Sequence, residues 1–181
     1  MKFTELDIQG VFFIDAEPSE DERGLFRRSF CTKEFQEKGI NPSISQASFS
    51  ENNFKGTLRG FHYQLDPHGE DKTISCIRGK IFDIIVDLRK DSKTYLKWIS
   101  FEISAGERRN FHVPSGCANA FLTLEDNTLI HYYISKAYNP DFYRGIRYND
   151  PLFSFKWPLD PSHISEQDLN WPDFINDIPE N

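Results

Sequence analysis

From Thr73 to Ile134 the chain breaks into short β-prone runs, separated by turn signals about every 8 to 12 residues. Lys97 to Ile103 is the cleanest of them, with Ile99, Phe101 and Ile103 on one face and Trp98, Ser100 and Glu102 on the other. Thr73–Ile77 and Ile81–Leu88 flank Arg78-Gly79-Lys80 and read as a hairpin-like pair. Asn110–Val113 leads into a Pro114-Ser115-Gly116 turn, and Ala120–Leu124 and Thr128–Ile134 flank a turn at Glu125-Asp126-Asn127. Runs of this kind indicate an antiparallel sandwich or barrel, and the expected fold class is all-β, a double-sheet barrel with short peripheral helices. An aromatic content of 15%, with 17 phenylalanines, suits such sheets and aromatic-lined pockets better than a helical bundle.

Upstream, Gly10–Asp15 and Leu25–Phe30 have strand character around an acidic loop, Pro18 to Gly24. Thr32–Lys38 reads as a short helix, with Thr32 placed to cap it and Gly39 to stop it. Ile44–Phe49 alternates, and Asn52 to Gly56 forms a turn. A loop spans Asp66 to Asp71, and the Pro-rich tail from Asp160 carries one helix-start signal at Ser165-Glu-Gln-Asp168. With no repeat, low-complexity tract or linker, the 181 residues are expected to form one domain, 1–181.

Thr57 to Gln64, TLRGFHYQ, is the stretch that carries chemistry. It sets Arg59 three residues before His62 among the apolar residues of a buried strand, with Gly60 between them. A glycine inside a strand marks a close approach of backbone or ligand. Histidine is the side chain whose ordinary pKa suits proton transfer near neutrality. Equally, a strand histidine is often a core residue with its hydrogen bonds satisfied.

A formal net charge of −7 disfavours wholesale binding to nucleic acid or an anionic membrane, so an anionic ligand needs a local cluster of Arg and Lys. Cys31, Cys76 and Cys117 are odd in number and widely spaced, which fits reduced thiols better than a disulfide framework. Met1 to Glu5 opens no apolar leader, and no run approaches the ~18 apolar residues of a membrane span. The expectation is a soluble cytoplasmic protein.

Six fragments, LRGFHYQ, VDLRKDSKTYLKW, VPSGCANAF, AYNP, RGIRYNDP and KWP, occur in that order. Together they resemble the dTDP-4-dehydrorhamnose 3,5-epimerase family of jelly-roll cupins, over a span from about Asp21 to Asp168. The resemblance implies a double-stranded β-helix and an enzyme without metal or cofactor. It also implies a homodimer whose subunits exchange strands. Its substrate would be a nucleotide-diphosphate-linked 4-keto-6-deoxyhexose, inverted beside the ketone in deoxysugar biosynthesis. A hydrogen next to a ketone is weakly acidic, so such chemistry needs a placed base and a stabilised enolate.

By resemblance, His62 is the base and Asp168 the carboxylate that orients it, although Ser165-x-x-Asp168 also reads as a capping box. Lys72 matches the cation near the sugar; on sequence alone it reads as a solvated loop lysine. Tyr132 matches the acid on the opposite face. Strand alternation places Tyr132 and Tyr133 on opposite sides without saying which points inward, and the spacing of Tyr132 to Tyr138 follows the family pattern. Arg59 and Arg23 match diphosphate-binding arginines, Arg23 from the partner subunit; Arg23 otherwise reads as a turn charge. Phe26, Gln46 and Tyr138 match nucleotide contacts, with core packing the other reading for the two aromatics.

Three positions depart from the pattern: Asn119 stands where members usually carry a histidine, Arg28 where they carry a glutamate, and Ser48 where they carry an asparagine. Arg28 exchanges an acceptor for a donor, which leaves the nucleotide open, and Asn119 leaves the number of inverted centres open. An epimerase acting at carbon 3 only or on another keto-sugar, and a non-catalytic sugar-nucleotide binder, are the alternatives. A metal-dependent cupin oxygenase is disfavoured by Asn119 and by the absence of any HxH or HxxxH spacing with His62. His68 and His163 read as solvated, and His112 and His131 as strand residues without an evident partner.

Overall fold

In the computed structural model, which describes residues 1–174, thirteen strands and two short α-helices follow in chain order. They are β1 (Lys2–Glu5), β2 (Phe12–Asp15), β3 (Ser19–Asp21), β4 (Gly24–Phe26), α1 (Thr32–Glu37), β5 (Gln46–Asn52) and β6 (Leu58–Gln64). Then come β7 (Lys72–Arg78), β8 (Lys80–Asp87), β9 (Trp98–Ser104), β10 (Arg109–Val113), β11 (Cys117–Thr123), β12 (Thr128–Ile134), β13 (Tyr143–Gly145) and α2 (Glu166–Leu169). A six-stranded sheet, β1-β2-β10-β7-β12-β5, faces a five-stranded one, β13-β6-β11-β8-β9; β3 and β4 pair only with each other. Every strand pair is antiparallel, and most neighbours are distant in sequence. This is the expected jelly-roll cupin barrel.

The interior follows from period-2 patterning. Ile74, Phe111 and Ile130 of the first sheet meet Ile81, Ile85 and Phe121 of the second, all but sealed from solvent. The other face of the five-stranded sheet is also covered: Phe61, Ile84, Val86 and Ala118 pack beneath Phe153 and Phe155. Strands buried on both faces read as near-continuous apolar runs, as Ile81 to Val86 do. The alternation of β9 holds, with Ile99, Phe101 and Ile103 on the main core and Trp98 on the second cluster.

Three local expectations are corrected. First, β7 and β8 are not a hairpin; they lie in different sheets. Gly79, at φ +82°, turns the chain from one sheet to the other. Their inward isoleucines thus face each other across the core, which they could not do as neighbours in one sheet. Second, α1 has Cys31, not Thr32, at its N-cap, with no side-chain capping bond; Phe35, packed with Ile14 and Ile40, anchors the helix instead. Gly39, at φ +72°, does stop it. Third, the strand expected over Leu25–Phe30 ends at Phe26, because β4 has only three-residue β3 to pair with.

Candidate active site

Toward one end of the barrel the inward residues of β5, β6, β7 and β12 become polar, and the interior opens into a cavity of about 280 Å³. His62 points into it, because Phe61 and Tyr63 on either side belong to the opposite face of β6. Asp168 reaches the same strand from α2: His62 Nε2 lies 2.6 Å from Asp168 Oδ1, and the Gly60 amide donates to Asp168 Oδ2 at 3.3 Å. Gly60 is required twice over. Its φ is +114°, and a Cβ there would fall 2.6 Å from the Asn119 carbonyl oxygen. The expected close backbone approach is therefore real.

Both readings of Ser165-x-x-Asp168 hold together. The Asp168 amide donates to Ser165 Oγ at 3.1 Å, capping α2, while the carboxylate serves His62 and Gly60. Burial is the largest single influence on Asp168 and opposes its ionisation, but the His62 hydrogen bond and charge, the Gly60 amide and Trp171 together outweigh it and hold the carboxyl below its ordinary range. Asp168 is thus an anion that accepts a hydrogen bond from the ring and fixes its orientation.

Lys72 is no solvated lysine. Its Nζ donates to the His62 carbonyl at 2.9 Å and pairs with Glu70 Oε1 at 3.2 Å, facing the cavity from the start of β7. Tyr132 lines the cavity from the opposite sheet to His62, and Tyr133 lies outside, where its hydroxyl meets Ser29 Oγ and its ring packs on Phe30. Burial, with the Asp83 carboxyl nearby, pushes the Tyr132 phenol up, so it keeps its proton.

Arg59, Gln46 and Tyr138 also line the cavity. Arg59 Nε donates to Asn52 Oδ1 at 2.8 Å, and Gln46 Oε1 accepts from the Tyr138 amide at 2.8 Å. With Lys72 and Lys136 alongside, Arg59 gives this acidic chain the local cationic cluster an anionic ligand needs. Asn119, paired in register with His62, donates to Asp83 Oδ2 at 3.1 Å. Asp83 is wholly buried, which drives its carboxyl well up.

Arg23, Phe26 and Arg28 do not line this cavity within one chain. They sit on and just after the β3–β4 hairpin, where Arg23 bonds Asp21, Phe26 is 78% exposed and Arg28 pairs with Glu34. Sequence reasoning missed Glu70, placed in a loop, and Tyr143, whose ring lies 5.2 Å from that of His62. Tyr143 gave no signal because β13, the strand that carries it, is only three residues long.

The remaining histidines are better partnered than expected. His68 meets Asn139 and packs on Phe142, and exposed His163 stacks on Phe54. His112 bonds Thr73, and His131 packs between Phe49 and Tyr133. Among the described residues no three His, Cys, Asp or Glu side chains gather as a metal site requires, and no helix is long and apolar enough to cross a membrane.

The sequence model for dTDP-4-dehydrorhamnose 3,5-epimerase matches residues 5–176. A curated relative of that name from Methanothermobacter thermautotrophicus is 39% identical over 174 residues, covering 94% of this chain and 92% of the relative. The crystal structure of a dTDP-4-dehydrorhamnose 3,5-epimerase from Elizabethkingia anophelis superposes with a TM-score of 0.93 at 32% identity, covering 98% of each chain. That of a dTDP-6-deoxy-D-glucose-3,5-epimerase from Legionella pneumophila, in complex with dTDP-4-keto-L-rhamnose, gives 0.85 at 32% identity, covering 92% of this chain and 89% of that one. The chain belongs to the dTDP-4-dehydrorhamnose 3,5-epimerase family.

Proposed function

We propose that this chain, as one domain over residues 1–181, epimerises a dTDP-linked 4-keto-6-deoxyhexose at carbons 3 and 5 in rhamnose-type deoxysugar biosynthesis. The observation that carries the reading is the His62–Asp168 contact of 2.6 Å at a cavity shared with Lys72 and, from the opposing sheet, Tyr132. The Legionella relative's complex with dTDP-4-keto-L-rhamnose supports the ligand class.

In this mechanism His62 takes the proton from the carbon beside the ketone. The C–H electron pair forms the enolate double bond, and negative charge moves to the ketone oxygen, where the Lys72 ammonium stabilises it. Asp168 stabilises the imidazolium. Tyr132 then donates its phenolic proton to the other face of the same carbon as the ketone re-forms; the phenolate recovers a proton from solvent, and His62 gives up to solvent the one it took. Arg59 binds the diphosphate, and Gln46 and Tyr138 contact the nucleotide.

NMR of dTDP-4-keto-6-deoxyglucose turned over in deuterated water tests the reading. Deuterium at carbons 3 and 5 is the expected result; no exchange with this substrate overturns it. Asn119, tied to Asp83 beside His62, favours a second reading, inversion at carbon 3 alone, which deuterium at that carbon only would establish.

We further propose that two copies exchange the β3–β4 segment, so that Arg23 and Phe26 complete the partner's nucleotide site, with Arg28 beside them. In support, among the described residues β3 and β4 pair only with each other, and the Arg23 side chain is 85% exposed. Mixing inactive His62→Ala with Arg23→Ala chains should restore activity through hybrid dimers, each with one intact site. No recovery after subunit exchange would exclude the composite site.

A further inference from the structure

Glu70 is the one acidic side chain among the described residues lining the cavity. It lies in the loop between β6 and β7 and is 7% exposed. Its Oε1 pairs with Lys72, but Oε2 is buried and has no hydrogen-bond partner among the described residues. Native proteins seldom leave a buried carboxylate oxygen unpaired, and at a binding cavity the missing donor is naturally a ligand's.

The neighbouring ammonium narrows the choice. An ammonium has three N–H donors. Lys72 directs one to the His62 carbonyl and is ion-paired with Glu70, so at least one is left over. A spare donor therefore sits beside a spare acceptor. An α-hydroxy ketone presents the complement, an acceptor oxygen next to a hydroxyl donor, and deprotonation between them yields a planar enediolate that keeps both. A diphosphate, which carries acceptors alone, offers no such pair.

We propose that Glu70 is a substrate-binding residue: its free Oε2 accepts the hydrogen bond of the sugar's 3-hydroxyl while Lys72 holds the adjacent ketone oxygen. This rests on the function proposed above. Glu70 thereby makes the site selective for sugars bearing that hydroxyl, and ties recognition to the cation that stabilises the enolate.

Equilibrium binding of unreactive dTDP-glucose, its 3-deoxy analogue and dTDP separates the possibilities. A hydrogen bond to a charged acceptor is worth roughly a ten- to hundred-fold change in affinity. The wild-type protein should bind the 3-deoxy sugar weaker by that factor. Glu70→Gln and Glu70→Ala should bind dTDP as the wild type does but lose most of the discrimination between the two sugars. Equal wild-type affinity for both sugars overturns the assignment without any variant having to fold. Undiminished discrimination in folded Glu70→Ala also overturns it, as does a fall in kcat alone, which would make Glu70 only a brace for Lys72. Failure of the epimerase reading would show separately, as absent wild-type turnover of dTDP-4-keto-6-deoxyglucose.

Discussion

His62 and His112 each lie near an aspartate on an inner strand of the barrel, yet the two pairs do opposite things. His62 stands at a cavity with its Nε2 2.6 Å from Asp168, which is held ionised. His112 is sealed on the other side of the six-stranded sheet, its Nδ1 3.0 Å from Thr73 Oγ1 and its Nε2 3.8 Å from Asp71. Phe35 of α1 covers it edge-on. Burial pulls its pKa down to about 4, against the opposing pull of Asp71. What separates a proton-transfer site from a core histidine here is distance to the carboxylate and access to a ligand; residue type is the same in both.

The largest effect expected from this contrast is at His62. His62→Ala should lower turnover by roughly 10³- to 10⁴-fold with dTDP affinity nearly unchanged, since a general base acts in the transition state. Steady-state kinetics and nucleotide binding read both quantities. His112→Asn should leave kcat close to wild type; a large loss there would erase the distinction.

Tyr132→Phe probes the group that faces His62 and has no counterpart at His112. It should cut net inversion by roughly 10²- to 10³-fold while solvent deuterium still enters the substrate, because the base remains. If exchange and inversion fall together, Tyr132 is not the acid.

Asp168→Asn keeps the shape of the pair and removes its charge. A milder loss, on the order of a hundredfold, should follow, as for other groups that orient a ligating or catalytic ring. Wild-type rates would reduce Asp168 to the helix cap it also provides.

The smallest effect is on stability. The folded-state pKa of His112 is depressed below its ordinary value of 6.5, so the unfolded chain binds the extra proton first as pH falls. Its contribution is therefore intact above that value and erodes toward pH 4. Between pH 6.5 and 5 the loss should be roughly 2 kcal/mol. Urea midpoints across this range should shift in the wild type and much less in His112→Asn; parallel curves would show that His112 does not titrate there.

The contrast also explains how much was legible in advance. Period-2 alternation revealed the strands around His62 and the inward face of β9, since side-chain direction in a strand is a local property. It did not reveal that β7 and β8 belong to different sheets, because pairing depends on the corner at Gly79 and on the core their isoleucines must fill. The Ser165-x-x-Asp168 pattern announced a cap but not the carboxylate's other destination, and Glu70 looked like any loop acid.

By itself, then, the sequence determined the β class, the identity of the groups available for proton transfer and, through six ordered fragments, the family. Tertiary structure alone decided which tyrosine faces the cavity, which histidine meets its aspartate closely and that Lys72 and Glu70 are buried together. It also decided that Arg23, Phe26 and Arg28 lie away from the cavity of their own chain. The physical reason is the same in each case. Composition and periodicity describe what a residue can do and which side of its strand it takes, but distances between strands far apart in sequence arise only when the sheets close on one another.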